Sequence, residues 1–194
     1  SACGEAVLEL IELLTGSVTE QEANLLYIAV TTDTGCFQYA NTNAATLRAA
    51  ARLLELGADN RKVSMEFFRK ISRARMALVG HIYSGMRFFR GGQIAIAVVT
   101  RALIDDLQAT EDDCDDIAGL PGRADGVVVS VTIRELTDGR SKISVRTTPE
   151  VDSCAICAVY GGGGHKMASG CTLTCDPETA VEKILAAIDQ VWPA

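Results

Sequence analysis

The first part of the chain carries apolar residues at three- and four-residue spacing, which is typical of amphipathic helices. The spacing predicts a first helix that ends near Gly16, a second that opens with a capping box of Thr19 and Glu22, and a third capped by Asn43. A longer helical pattern follows over 63–82. Because it separates two differently patterned halves, we interpret it as a connector between domains.

A strand pattern replaces the helical one after position 85. Apolar runs around Gly91 and Gly92 predict a hairpin, and the alternation over 127–134 predicts a strand that turns at Asp138 and returns over 142–147. The other predicted elements are helices over 101–109, 110–120 and 151–160, a strand over 171–174 and a closing helix opened by Pro177.

Together these patterns predict an α/β protein. We expect a helical part over 1–62, a connector helix over 63–84 and a smaller α/β domain with a mixed sheet over 85–194. A length of 194 residues and a hydrophobic content of 48% suffice for a real core in one domain or two small ones.

Charge and cysteine content narrow the class of protein. Eighteen Lys and Arg against 25 Asp and Glu give a net charge of −7, which argues against an indiscriminate nucleic-acid coat but permits a local basic pocket. No apolar run reaches the length of a membrane span and no signal-peptide pattern opens the chain, so we expect no membrane partner. Seven cysteines, an odd number, favour a reduced, cytoplasmic setting.

The run Gly161–Gly164 with His165 is the first candidate for chemistry. Consecutive glycines expose backbone N–H groups, and the small residues of 168–170 predict a short helix that begins against the loop. Backbone donors at a helix start favour phosphate, which His165 would contact as a proton donor or a positive charge. A flexible loop with a surface histidine is the alternative. The position of Lys166 excludes a P-loop, and the glycine spacing excludes the dinucleotide fingerprint.

Two further side chains are candidates. Asp33 ends an apolar segment among threonines, where a carboxylate suits a divalent metal. Composition alone favours the alternative, in which Asp33 and Thr34 close a helix or form an Asx-turn. Arg146 shares one face of the predicted return strand with Lys142 and Ser144, shortly before the glycine run. An arginine there suits a two-pronged grip on phosphate, and a solvated strand arginine is the alternative.

The cysteines leave a metal alternative open. Cys154 and Cys157 with Cys171 and Cys175 contain the four thiols of a zinc site. The unequal spacers and the predicted helix around the first pair favour apolar filling of a core instead.

Three stretches occur in one order and at familiar distances: Thr32 to Phe37 with Asn41 and Thr42, then Lys142 to Arg146, then Gly161 to His165 with Ala168 to Gly170. Together they resemble the DHH phosphoesterases, which are named for an Asp-His-His motif. The most similar group is the nano-RNase and phosphoadenosine-phosphate phosphatase branch, which is related to the RecJ exonucleases. The resemblance covers nearly all of the chain.

The resemblance implies a mechanism and roles for residues. Two manganese ions would activate a hydroxide that attacks phosphorus, with Asp33 as one metal ligand. Arg146 and His165 would contact the substrate phosphates, with His165 also catalytic, and Gly162, Gly163 and Gly164 would form the backbone cradle. Positions 1–62 would correspond to the C-terminal part of the DHH domain, and 85–194 to the DHH-associated substrate-binding domain.

The chain also departs from the family. The Asp-His-His triplet is absent, since His81 and His165 are the only histidines. We therefore expect a fragment of a manganese-dependent hydrolase, inactive alone, whose parent cleaves short oligonucleotides, dinucleotides or 3′-phosphoadenosine 5′-phosphate. Its partners would be those nucleotides, the missing N-terminal part and, in a homodimer, a second copy. A non-catalytic phosphonucleotide-binding module and a RecJ-type exonuclease are the alternatives.

Overall fold

The computed structural model describes residues 3–39 and 41–193. Residues 1, 2, 40 and 194, which the predicted domain ranges include, lie outside the described residues. The chain divides into two compact units, Ser1–Ile71 and Ser72–Ala194. Across the described ranges, every helix is too short or too polar to cross a membrane.

The first unit is helical, as its apolar spacing predicts. Its helices are α1 (Cys3–Thr15), α2 (Glu20–Asp33), α3 (Ala44–Glu55) and the short α4 (Asn60–Ser64). They pack around buried apolar side chains such as Leu8, Val30 and Leu53. The predicted capping box is present, because Thr19 N donates to Glu22 Oε2 at 2.8 Å and Glu22 N donates to Thr19 Oγ1 at 3.3 Å.

The helix predicted over 63–82 is wrong as a single helix. A π-helical turn over Met65–Arg69 follows α4, and a new helix, α5, spans Arg73–Gly85. The Ser72 side chain accepts from Arg75 N at 2.8 Å. Because a serine hydroxyl satisfies a free N–H at a helix start, Ser72 favours a new helix over continuation of the old one. The division into three domain ranges stays a prediction.

The second unit is built on a six-stranded sheet with the order β1-β2-β3-β4-β6-β5. The strands are β1 (Arg87–Phe89), β2 (Ile94–Val99), β3 (Val129–Glu135), β4 (Ser141–Thr147), β5 (Gly163–His165) and β6 (Ala168–Leu173). β2 and β3 are parallel, and the remaining described pairs are antiparallel. The predicted β1–β2 hairpin, the β3–β4 return and the α/β class with a mixed sheet are confirmed.

Helices cover one face of this sheet and half of the other. α7 (Ser153–Ala158) and α8 (Pro177–Val191) pack on the first face, where Val131 and Ile143 are fully buried. On the opposite face, α5 and α6 (Arg101–Asp106) cover β2 through Leu78 and Ile104. The rest of this opposite face, on β4, β6 and β5, carries polar and small residues. We call this part the open face.

The helix predicted over 110–120 is also wrong. The segment forms 3-10 turns at Asp112–Cys114 and Ile117–Gly119. Asp113 Oδ2 accepts from Thr110 N at 2.8 Å, and Asp116 has a φ of 58°. Aspartate side chains compete with helical hydrogen bonds, and a left-handed residue interrupts a helix. The helix predicted over 151–160 is present but shorter, as α7.

Candidate functional site

The glycine run does not lead into a helix. Its last residues form the edge strand β5, and the small residues predicted to start a helix form β6 instead. In β6, Ser169, Cys171 and Leu173 alternate into the core while the residues between them face outward. Burial that alternates every two residues is the pattern of a strand, and here it decides the conformation despite the small size of the residues. The prediction of a phosphate cradle at a helix N-terminus is therefore wrong.

Backbone packing requires two of the glycines. A Cβ on Gly162 would lie 2.3 Å from Gly170 O, and one on Gly164 would lie 2.6 Å from Ala168 O. A Cβ on Gly163, by contrast, would meet no atom within 4 Å. Gly162 N also donates to Cys157 O at 3.0 Å, so this N–H is already used inside the chain. The run therefore lets β5 approach β6, a packing role that the sequence analysis did not foresee.

Strand pairing places Arg146 and His165 on the open face. Arg146 of β4 pairs with Ala168 of β6, and Ala168 pairs with His165 of β5. Paired residues share a face, and neighbouring strands lie about 4.8 Å apart, so the two Cα atoms are about 10 Å apart across a small alanine. Such a separation allows both side chains to approach one phosphorylated ligand.

Arg146 is half-buried and lacks a carboxylate partner among the described residues. Its Nη1 donates to Val145 O at 3.0 Å, which leaves its other N–H groups available. The neighbouring Arg134, in contrast, donates to Glu111 Oε2 at 2.7 Å. The exposed His165 imidazole has no hydrogen bond within the described part of the chain, whereas the His165 carbonyl accepts from Ser153 Oγ at 3.1 Å. One surface thus carries a guanidinium with several N–H groups still available and an exposed imidazole.

Arg146 also lines two neighbouring shallow cavities. One, of about 190 Å³, is lined by Lys142, Ser144 and Arg134, with Asp115 and Asp116 on the side of the acidic segment. The other, of about 210 Å³, is lined by Arg123 and Ser130 together with Gly119, Gly122, Val127, Val128, Thr147 and Thr148. Lys142 and Ser144 are site candidates to which the sequence analysis assigned no role. Their shared strand face with Arg146 was the available signal.

Asp33 lies in the other compact unit, at the end of α2. Asn41 Nδ2 donates to its Oδ2 and to its carbonyl oxygen, at 3.1 Å each. Next to it, the buried Thr34 hydroxyl donates to Val30 O at 2.7 Å and accepts from Phe37 N at 3.2 Å. These bonds close the helix, as the turn interpretation predicts. In the described ranges no three His, Cys, Asp or Glu side chains gather as metal ligands. A single carboxylate does not fit a two-manganese site.

The four-thiol zinc alternative gains no support from the structure. Among the described residues, no three cysteines lie together in an arrangement that could hold a metal ion. Cys157 and Cys171 are buried, whereas Cys154 and Cys175 are partly exposed and all four are free thiols. Two of the thiols thus fill the core, as the filler interpretation predicts.

These features define a mixed α/β domain whose open face bears two phosphate-binding candidates, Arg146 and His165, neither of which pairs with a carboxylate in the described part of the chain. Residues 91–192 match the family model described as the DHHA1 domain, and the chain belongs to this family. The resemblance to DHH phosphoesterases is thereby confirmed.

Similar proteins extend the comparison over most of the chain. A bifunctional oligoribonuclease and PAP phosphatase NrnA of Thermus thermophilus is 37% identical over 97% of this chain and 56% of its own length. An A-adding tRNA nucleotidyltransferase of Geobacter sulfurreducens is 28% identical over 91% of this chain but only 19% of its own length. The crystal structure of an exopolyphosphatase-related protein from Bacteroides fragilis superposes with a TM-score of 0.86 at 25% identity, over 96% of this chain and 56% of that one. The chain spans about half the length of the NrnA relatives.

Proposed function

We propose that this chain provides the substrate-binding part of a phosphoesterase that hydrolyses short oligoribonucleotides or 3′-phosphoadenosine 5′-phosphate. The observation that carries the proposal is the row of Arg146, Ala168 and His165 across β4, β6 and β5. The printed name of the Thermus thermophilus relative supports the same class of substrate.

Each candidate residue has a role in this proposal. Arg146 holds a substrate phosphate through charge-assisted hydrogen bonds, and His165 contacts the phosphate from the neighbouring edge strand. Gly163 and Gly164 provide the backbone side of the cradle. Gly162 positions them by lying against β6.

We propose manganese as the metal of the longer enzyme and Asp33 as one ligand, because carboxylate oxygens suit this ion. Among the described residues, Asp33 belongs to no group of three or more His, Cys, Asp or Glu side chains that could hold a metal ion. Under the proposal this chain is one portion of that enzyme, inactive alone and cytoplasmic. Its length relative to the NrnA proteins supports its status as a portion.

The first test replaces Arg146 with alanine in the full chain. Hydrogen bonds to charged groups contribute about 1.5–3 kcal/mol, so the Kd for a 5′-phosphorylated diadenylate should rise about 10- to 100-fold. Titration calorimetry with this ligand and with adenosine 3′,5′-bisphosphate provides the measurement. Arg140→Ala is the matched control, because Arg140 lies in the β3–β4 turn and pairs with Asp138. Equal affinities of the wild type and Arg146→Ala would show that the open face does not bind the nucleotide.

A non-catalytic nucleotide-binding module is the second candidate. The match to one fifth of a tRNA nucleotidyltransferase favours it, because a similar segment is present in a protein named for a different reaction. Hydrolysis of the diadenylate, measured with manganese and with a chelator before and after adding the N-terminal half of an NrnA relative, separates the two. Binding without turnover is expected for both an isolated portion and a module. Turnover restored by adding the N-terminal half of an NrnA relative would select the phosphoesterase.

A RecJ-type exonuclease has less support, because the net charge of −7 disfavours binding of a long single strand.

A further inference from the structure

The cavity between β4 and the acidic turns has two walls of opposite charge. Basic side chains line it from the sheet and two aspartates line it from the turns: Arg134, Lys142, Arg146, Asp115 and Asp116. Among the described residues, the Lys142 ammonium and the two carboxylates have no hydrogen-bonding or ionic partner. A gap between unpaired charges of both signs suits a ligand that accepts hydrogen bonds along one edge and donates them along another.

Contacts within the chain hold both walls in place. Thr132 Oγ1 of β3 donates to Ile117 O at 3.5 Å, which ties the acidic turns to the sheet. Arg134 Nη1 donates to Glu111 Oε2 at 2.7 Å, and this ion pair keeps the guanidinium at one end of the cavity. Nucleobases stack on guanidinium planes and on apolar side chains, and the buried Ile117 also lines the cavity. A planar base would therefore find a stacking surface as well as polar edges.

The size and position of the cavity indicate which part of a nucleotide it takes. Its volume is about 190 Å³. Pockets that enclose a whole drug-sized ligand measure about 300–1,000 Å³, so this cavity suits one part of a nucleotide. Arg146, which holds a phosphate in the proposed function, lines the same cavity. The carboxylates of Asp115 and Asp116 would repel a second phosphate, so the nucleoside beside the first phosphate is the better occupant.

The edges of the bases match the two walls unequally. Every base presents an acceptor atom on the side of its sugar, to which Lys142 and Ser144 can donate. Adenine, guanine and cytosine also carry an amino group, which donates to a carboxylate. Uracil has no amino group, and its single N–H lies between two carbonyl oxygens, which a carboxylate repels.

We propose that this cavity binds one nucleobase of the nucleotide held by Arg146, and that Asp115 and Asp116 select bases with an amino group over uracil. The inference rests on the proposed function, because Arg146 must hold a phosphate beside the cavity. It adds a base subsite and a base preference to that function.

The test compares two ligands of equal size, 5′-phosphorylated dicytidylate and 5′-phosphorylated diuridylate, by titration calorimetry on the full chain. Their bases differ in an amino group against a carbonyl group. The Kd for diuridylate should be about tenfold higher, at the lower end of the contribution of a hydrogen bond to a charged group, because both aspartates are exposed.

A variant with both Asp115→Asn and Asp116→Asn should abolish this preference. Each amide offers one donor and one acceptor, which match either pyrimidine, so the ratio of the two Kd values should fall to about one. Asparagine tolerates the φ of 58° at position 116 as aspartate does. The matched control carries Asp112→Asn and Asp125→Asn. It removes the same charge from two exposed positions outside the cavity and should keep the tenfold ratio.

The possible failures are distinguishable. Equal affinities of the wild type for the two ligands, with binding still weakened by Arg146→Ala, would refute the base preference and leave the proposed function intact. A tenfold ratio that persists in the Asp115 and Asp116 variant, or that the control also loses, would show that these carboxylates do not select the base. If the wild type binds neither ligand, or if Arg146→Ala has no effect, the proposed function itself fails. The comparison of ligands uses the wild-type chain, so it decides the base preference even if a variant does not fold.

Discussion

Gly162 and Gly163 are chemically identical neighbours with opposite surroundings. Gly162 lies against the backbone of β6, whereas Gly163 faces open space. Gly162 immediately precedes β5 and packs against Gly170 and Cys171 of β6, whereas Gly163 is the first residue of β5 and an added Cβ there would meet no atom within 4 Å. From composition alone, both are predicted to be loop glycines. Only the fold shows that Gly162 packs against β6 while Gly163 is exposed where a ligand could approach.

Alanine substitution at these two glycines tests this distinction. Gly162→Ala places a methyl group against Gly170 O and Cys171 Cβ, and overpacking of this kind costs about 1–3 kcal/mol. Gly163→Ala is the matched control and should change stability by less than about 0.5 kcal/mol. The free energy of unfolding from urea titration provides the measurement. Equal losses in the two variants would show that Gly162 has room for a side chain.

Alternation along β4 predicted the placement of Arg146 correctly. Ile143 and Val145 are fully buried, and Arg146 faces the open side, as the period of two requires. The partner of Arg146 across the sheet was not predictable, because the pairing of β6 between β4 and β5 joins segments that are distant in the chain.

In the acidic segment 110–120, the local sequence pattern predicted the wrong secondary structure. Its residues 110–120 suggested a solvated helix, but Asp side chains form turns there. Arg75 at the start of α5 stabilises these turns by donating to Asp113 O at 3.0 Å and Asp115 O at 2.6 Å. The contact joins two elements about forty residues apart, so a pattern within a short stretch of sequence cannot predict it.

Replacement of Arg75 with methionine should loosen this segment. Loss of its hydrogen bonds to carbonyl groups should cost about 1–2 kcal/mol, since the side chain is partly exposed and solvent screens it. Hydrogen exchange at 112–118 should also become faster. Arg73→Met is the control, because Arg73 is an exposed arginine in the first turn of the same helix. Thr132 Oγ1 also donates to Ile117 O and Ala118 O, at 3.5 Å each. Unchanged exchange in Arg75→Met would indicate that these bonds and those within the turns suffice to hold the segment.

At the scale of the whole molecule, the second unit contains every residue of the open face. It also has its own apolar clusters, one on each side of the sheet. A compact unit with its own core is expected to fold alone.

The segment 72–194 should therefore fold and bind nucleotide without the first unit. We expect a cooperative urea transition and a Kd for 5′-phosphorylated diadenylate within about threefold of the full chain. Arg146→Ala in the segment should weaken binding by the same factor as in the full chain. A folded segment that has lost its affinity would show that the first unit contributes to the site.

Local chemistry determined a large part of this protein. Capping residues set helix starts, a period of two set the faces of β3 and β4, and short motifs revealed the family, because each depends on neighbours a few residues apart. The tertiary structure alone decided the Arg146–Ala168–His165 row and the packing of Gly162. These features arise from pairing between distant segments, which periodicity does not encode.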